Sequence, residues 1–335
     1  MLAEYRARDI AYPCLRLLRL AAAALILGVA AAAAGWSGAY AQSGPIKIVV
    51  PFPPGGAIDV IARVIADGVG RMRGPAVIVE NRPGGAMEIA TEAVIRARPD
   101  GNTVLIVNNS FLVTPHLLKV RYDPLASLDP LCRVATTPTV IAVNSASPYR
   151  TLADLLGAAR AKPSALTYGS AFGGVLHIGF AMLQQSANAQ MTFVPFPGTA
   201  PAVNAMLGGY LDSALLDYTS AAGQLQAQTL RALATGSRRR IEQLPEVPTV
   251  AESGYPDYEV ELWYGLFAPA KTPTAVLAQL ANLFSASMRA PESRSRLLTQ
   301  GVNPDVICGI EFGSYVRQQY EQYGRAIADA NIKAE

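Results

Sequence analysis

Ile46-Lys47-Ile48-Val49-Val50-Pro51-Phe52-Pro53-Pro54-Gly55-Gly56-Ala57-Ile58-Asp59-Val60-Ile61-Ala62-Arg63 decides how the rest of the chain is read. Its apolar start has the length and β-branched content of a buried strand. Prolines and glycines then break the chain, and an amphipathic helical stretch opens near Asp59. Strand, turn and helix in that order form the opening unit of an α/β fold. The turn leaves backbone N–H groups at a helix N-terminus, where the helix dipole favours an anion. Gly55 and Gly56 let the backbone approach a ligand. Asp59 has a plainer reading, as a residue that caps the helix and complements its dipole. The glycines match neither the dinucleotide fingerprint nor the P-loop spacing, so a nucleotide site is not supported.

Outward from this stretch the unit repeats. Ala76–Glu80 and Thr103–Asn108 read as strands, with helices at Asp59–Gly70 and Glu88–Ala97. Val134–Thr137 and Val140–Val143 are further strand candidates. Thr151–Ala161 reads as a helix, with Thr151 as N-cap and Asp154 at N3 of a capping-box-like start. Strands at Thr167–Ser170, Phe193–Phe196, Ser213–Leu216 and Ala232–Thr235 accompany helices at Leu176–Ser186 and Ala200–Gly208. A strand at Leu262–Pro269 leads into helices at Thr274–Arg289, Pro291–Gln300 and Phe312–Ala330. The alternation predicts an α/β fold with largely parallel strands and two lobes. Residues 43–143 plus 259–335 are expected to form a discontinuous lobe 1, and 144–258 lobe 2. The turns after the strand ends would line a ligand cleft between them.

The first 41 residues read as a secretory signal peptide. Arg6, Arg8, Arg16 and Arg19 make a basic start, Leu20 to Ala34 is apolar, and Ala39-Tyr40-Ala41 fits a cleavage site. An uncleaved anchor is the other reading, but the apolar run is short for a span of about 20 residues. Export in such a chain implies a periplasm. Four arginines, Glu4 and Asp9 leave with the leader, so the net charge falls from +3 to +1. The only basic run, Arg238-Arg239-Arg240, is short, and nucleic acid is not an expected partner. Cys132 and Cys308 remain after cleavage. The compartment permits a disulfide, but two distant cysteines are no framework, and Cys132 reads as simply buried. His116 and His177 belong to no metal-spaced cluster, so no metal site is expected.

Three more glycine-bearing turns follow strands: Glu80-Asn81-Arg82-Pro83-Gly84-Gly85-Ala86, Tyr168-Gly169-Ser170-Ala171-Phe172-Gly173-Gly174 and Phe196-Pro197-Gly198-Thr199-Ala200-Pro201. One such turn means little. Several, in both lobes, are able to face one another across a cleft. Ser170 and His177 invite a hydrolase reading, but Gly169-Ser170-Ala171-Phe172-Gly173 is not G-x-S-x-G and no partner carboxylate is identifiable. His177 reads better as a locally satisfied helix residue, and the chain as no enzyme.

In order along the chain, these motifs resemble the periplasmic solute-binding proteins of tripartite tricarboxylate transporters, the Bug proteins. The resemblance rests on Pro45 to Gly56 with Asp59, Val79-Glu80-Asn81-Arg82-Pro83-Gly84, Pro99-Asp100-Gly101 and Tyr122-Asp123-Pro124. It continues through Tyr168-Gly169-Ser170 with His177, Leu230-Arg231-Ala232-Leu233-Ala234, Pro245 to Gly254, Trp263-Tyr264-Gly265-Leu266 and Pro269-Ala270-Lys271-Thr272-Pro273. It implies a two-lobed periplasmic binding protein fold of type II that closes on a small ligand, often a carboxylate, with no cofactor. It also implies delivery to a membrane permease, and a monomer. A role presenting ligand to a sensor kinase is the alternative. By position, ligand contacts would come from Phe52, Gly55, Gly56, Ala57 and Asp59. Facing groups would be Asn109, Ser110, Ser170, Ala171, Gly173, Phe196, Gly198, Thr199 and Asp217. The carboxylate would sit on the Gly55–Ala57 backbone, partly through ordered water.

The chain also departs from the family pattern. Ile58 stands where a hydroxyl is common, and Ala86, Met87 and Glu88 replace glycines. Phe172, Val175 and Leu176 replace small polar residues, and Pro197 replaces a polar one. The expected pocket is less polar, suited to an organic acid or an aromatic or amide relative more than to a tricarboxylate. A Glu88 facing the cleft would oppose an anion; one facing away would not matter.

Overall fold

A computed structural model describes residues 44–196 and 198–332. The leader expected over residues 1–41, and Pro197, lie outside the described residues. Among the described residues no helix is long and apolar enough to cross a membrane.

The first run comprises β1 (Ile46–Val50), α1 (Ala57–Arg71), β2 (Val77–Asn81), a 3-10 turn at Gly85–Met87, α2 (Glu88–Ile95), β3 (Thr103–Asn108), α3 (Ser110–Leu117) and β4 (Leu128–Thr137). The second comprises β5 (Thr139–Asn144), α4 (Leu152–Ala161), β6 (Thr167–Ser170), α5 (Val175–Ser186), β7 (Thr192–Pro195), α6 (Thr199–Leu207), β8 (Ser213–Asp217), α7 (Tyr218–Gln226) and β9 (Leu230–Thr235). The chain then returns through β10 (Leu262–Pro269), α8 (Thr274–Arg289), α9 (Pro291–Leu298), β11 (Asn303–Cys308) and α10 (Ile310–Asp329).

These strands form two sheets, ordered β11-β4-β10-β3-β1-β2 and β7-β6-β8-β5-β9. β1 is parallel to β2 and β3, and β6 is parallel to β7 and β8. The sheets are mixed rather than largely parallel. β10 is antiparallel to β3 and β4, and β5 to β8 and β9. These are the strands that carry the chain out of one sheet and back into it, so they run against the βα units. Helix burial follows the 3.6-residue period: Ile58, Ile61, Ala62, Val64, Ile65 and Val69 face the core from α1. Val104 to Val107 of β3 are wholly buried, as expected for a strand covered on both faces.

The chain changes sheets at Pro138, between β4 and β5, ahead of the expected division at 144. Beside it the return crossing packs backbone to backbone. Gly236 N donates to Thr139 O and Val260 N to Gly236 O, both at 2.9 Å. Thr139 Oγ1 donates to Val260 O at 2.5 Å. A Cβ on Gly236 would lie 2.5 Å from that same carbonyl, so only glycine lets the crossings approach this closely.

Cys132 and Cys308 form a disulfide. This corrects the expectation of a simply buried Cys132. Antiparallel pairing of β11 with β4 sets Cys308 opposite Cys132, which the linear spacing did not reveal. Thr151 and Asp154 form the capping box at the start of α4.

Candidate functional site

β1 delivers the chain into Pro51–Gly56, and the turn is held from below. Gly55 adopts φ +96°, a conformation that favours glycine. Its N–H donates to Asp59 Oδ2 at 3.0 Å. Arg63 Nε and Nη2 donate to Asp59 Oδ2 and Oδ1 at 2.9 and 3.1 Å. Asn81 Nδ2, at the end of β2, donates to both Asp59 Oδ1 and Phe52 O at 3.0 Å. Burial pushes the Asp59 carboxyl up, but the Arg63 guanidinium, the Gly55 N–H and the Asn81 amide outweigh it and hold the group below the usual aspartate value. The second turn therefore serves the first: Asn81 pins it, and Arg82 pairs with Glu80.

Above this turn lies a cavity of about 890 Å³, between the strand ends of the two sheets. Phe52, Gly56, Ala57, Ser110, Ser170, Ala171, Gly173, Gly198, Thr199 and Asp217 lie on its wall. Four residues expected there lie behind it. The Gly55 N–H is committed to Asp59, and Asp59 itself is turned onto Arg63 and Asn81. Asn109 Nδ2 donates to Glu261 O and Tyr323 OH, both at 2.8 Å, which ties α3 to the crossing strand and α10. Phe196 packs against Gly169, where a Cβ would lie 2.7 Å from its ring.

Five helices start at this wall, and their first-turn N–H groups have different fates. Ser110 N of α3 donates to Asn108 Oδ1 at 3.1 Å. Val175 N of α5 donates to Ser110 Oγ at 3.5 Å. Pro201, in the first turn of α6, has no N–H. Tyr218 N and Ser220 N of α7 donate to Pro138 O and Asp217 Oδ1 at 2.9 Å. Of these five helices only α1 keeps the N–H groups of its whole first turn, from Ala57 to Asp59, without a protein acceptor. An N-terminus with its donors open in this way favours an anion.

The rest of the wall is largely apolar, with Ile58, Met87, Phe172, Val175, Leu176 and Leu262 upon it. No lysine, arginine or histidine lines it among the described residues, and Asp217 is the single charged group. Glu88 is not on the wall. Arg121 donates to its Oε1 from the backbone N–H and from Nε, at 2.8 and 3.1 Å.

Ser170 and His177 do not form a nucleophile–base pair. Ser170 Oγ donates to Ala171 O at 3.2 Å, and His177 Nδ1 accepts from Gly173 N at 3.3 Å. The imidazole stacks on Phe193 with ring centres 3.9 Å apart. Burial pushes its pKa down to about 4.

Sequence reading missed Thr219 and Ser220, which line the cavity at the start of α7. The signal was present: Asp217 followed by Thr219 and Ser220 is an N-cap pattern at a strand end. It was overlooked because α7 itself has too little apolar periodicity to be recognised.

Comparison with known proteins agrees with this geometry. The chain is 35% identical over 301 residues to a Pseudomonas sp. strain P51 protein described as "UPF0065 protein in tcbD-tcbE intergenic region", covering 87% of this chain and 88% of that one. The periplasmic binding protein BugD superposes with a TM-score of 0.74 at 29% identity, over 88% of this chain and 99% of its own. An R. palustris protein solved with adipate gives 0.78 at 27% identity, over 88% and 100%. MatC from Rhodopseudomonas palustris with bound malate gives 0.72 at 25% identity, over 85% and 99%. The family described as "Tripartite tricarboxylate transporter family receptor" matches residues 61–332. Two lobes of mixed α/β sheet, a cavity at the strand ends and a match over most of the chain lead to one assignment: the chain belongs to the tripartite tricarboxylate transporter receptor family, the Bug solute-binding proteins.

Proposed function

We propose that this protein is a periplasmic solute-binding protein that captures a small organic carboxylate and delivers it to a tripartite-type membrane permease. It works as a monomer exported by a leader cleaved after Ala41. The two lobes close on the ligand without covalent chemistry. The observation that carries this reading is the open N-terminus of α1, whose first-turn N–H groups lack a protein acceptor in an otherwise apolar cavity. A carboxylate there completes those donors, with ordered water filling the remaining space. Bound adipate and malate in related structures support the ligand class.

The test is a thermal-shift and calorimetric screen of the mature chain against aliphatic, hydroxylated and aromatic carboxylates. A binder at a hundred times its Kd adds about 2.7 kcal/mol of stability. At least one acid of the panel raises the melting temperature, and Ala57→Pro, which removes one donor of the nest, abolishes that rise. A panel in which no acid shifts the transition overturns the proposal.

A further inference from the structure

The far wall of the cavity is built around Asp217, and the hydrogen bonds there have a direction. Thr199 Oγ1 donates to Asp217 Oδ2 at 3.2 Å, Thr219 Oγ1 to Oδ1 at 2.5 Å and Ser220 Oγ to Oδ2 at 2.9 Å. Ser220 N takes the remaining position on Oδ1, at 2.9 Å. A hydroxyl has one proton. With that proton on Asp217, each of the three side chains turns only oxygen lone pairs toward the cavity. The carboxylate at the centre has its own acceptor positions filled but keeps its negative charge. In α6 next to it, Pro201 removes a donor that an anion would need. No cationic side chain lines the cavity among the described residues.

The two ends of the cleft therefore differ in the side chains they present. At α1 backbone N–H groups stand open, and the nearest carboxylate, Asp59, is turned away onto Arg63. At α6 and α7 the hydroxyl side chains turn acceptors to the cavity around the carboxylate of Asp217.

We infer that the ligand is a carboxylate at one end only, and that its other end is a hydrogen-bond donor, an amide or an ammonium, set against Thr199, Thr219 and Ser220. This rests on the solute-binding reading above and narrows its substrate class. A second carboxylate would meet hydroxyl lone pairs and the charge of Asp217, with no cationic side chain among the described lining residues to offset them. The restriction is a property of this wall and not of the fold, since a neighbour of the same fold was solved with the dicarboxylate adipate.

An isosteric series tests it: adipate, its monoamide and 6-aminohexanoate, with succinate, succinamate and 4-aminobutyrate as the shorter set. Calorimetric titration of the mature wild-type chain should give the amide or amine of a set at least about tenfold tighter than the diacid. Asp217→Asn keeps an acceptor for Ser220 N, removes the charge and frees a hydroxyl proton for the cavity. It should bring the diacid to within about threefold of the amide. Pro201→Ala restores the missing N–H without touching Asp217, and should strengthen diacid binding in the same direction. Circular dichroism checks that both variants are folded. A wild-type chain that binds the diacid as tightly as its amide and amine overturns the inference and leaves the solute-binding reading standing. So does a diacid affinity unchanged in both folded variants. If no member of either set binds, and no acid of the wider screen does, both fall together.

Discussion

Arg63 Nε donates to Asp59 Oδ2 at 2.9 Å, and the acid is 3% exposed, so the charge that opens α1 is tied to its own helix one turn along. The same oxygen holds the Gly55 N–H. The pair shapes the turn from beneath the cavity without reaching into it.

Asp59→Ala removes three sets of hydrogen bonds at once, leaves Arg63 Nε without its acceptor and leaves the Asn81 amide only Phe52 O. A loss of about 2–3 kcal/mol is expected from charge-assisted bonds in a buried setting. Ligand affinity should fall about tenfold or more, although Asp59 does not line the wall. Arg63→Lys keeps the charge but loses the two-pronged geometry, and should lie between wild type and Asp59→Ala. Denaturant unfolding and calorimetric titration measure the two effects. Undiminished affinity in folded Asp59→Ala would show that the turn holds its shape by other means.

Acid should weaken the fold through His177. Its folded pKa of about 4 lies below the ordinary histidine value, so the unfolded chain binds a proton that the folded chain refuses. Stability therefore falls as the pH drops from about 6.5 to about 4, by roughly 3 kcal/mol at most. Burial also lowers His116, against the opposing pull of Tyr320 O, and it acts in the same direction. His177→Asn retains an acceptor for Gly173 N, and its melting temperature should depend less on pH across that window. Melting curves taken from pH 4 to 7 on both proteins provide the check. An identical slope in the variant would assign the acid sensitivity elsewhere.

Gly236→Ala drives a methyl against Val260 O and Thr139 Oγ1 at the crossing of the two sheets. Overpacking of this kind costs about 1–3 kcal/mol. The crossing also joins the lobes, so the variant should change both stability and the compaction seen by small-angle scattering when ligand is added. A variant as stable as wild type would mean that the crossing segments separate readily.

Much of this molecule is legible in its sequence, and the reasons it stops being legible are specific. Strands Thr103–Asn108, Thr167–Ser170 and Leu262–Pro269 and helix Thr274–Arg289 have their expected bounds; apolar runs mark the first and third strands, and Pro273 and Pro291 bracket the helix. α3 escapes because Ser110 to Leu117 is buried on nearly every side and contains Pro115, so it has no amphipathic period. β11 escapes because Pro304 argues against a strand, and with it goes the pairing that joins Cys132 to Cys308. At the site, glycine turns locate the wall, since a backbone that meets a ligand needs small residues. Which way a side chain faces is a different matter. Asp59 and Asp217 both follow strand ends, yet one is buried under its turn and the other is on the wall. Partners far along the chain decide that: Asn81 draws Asp59 inward, and Thr199 meets Asp217 from another helix. Local spacing carries no trace of either.

The disulfide closes a ring of chain from Cys132 to Cys308, and β5 to β9, the entire second sheet, lie within that ring. A protease that cuts any exposed loop between the two cysteines leaves both fragments on one covalent body. Such a nicked molecule migrates as a single species on a denaturing gel without reductant, and separates into two when thiol is added. The ring cannot close until Cys308 has been made, because that second cysteine follows the whole of the sheet it encloses.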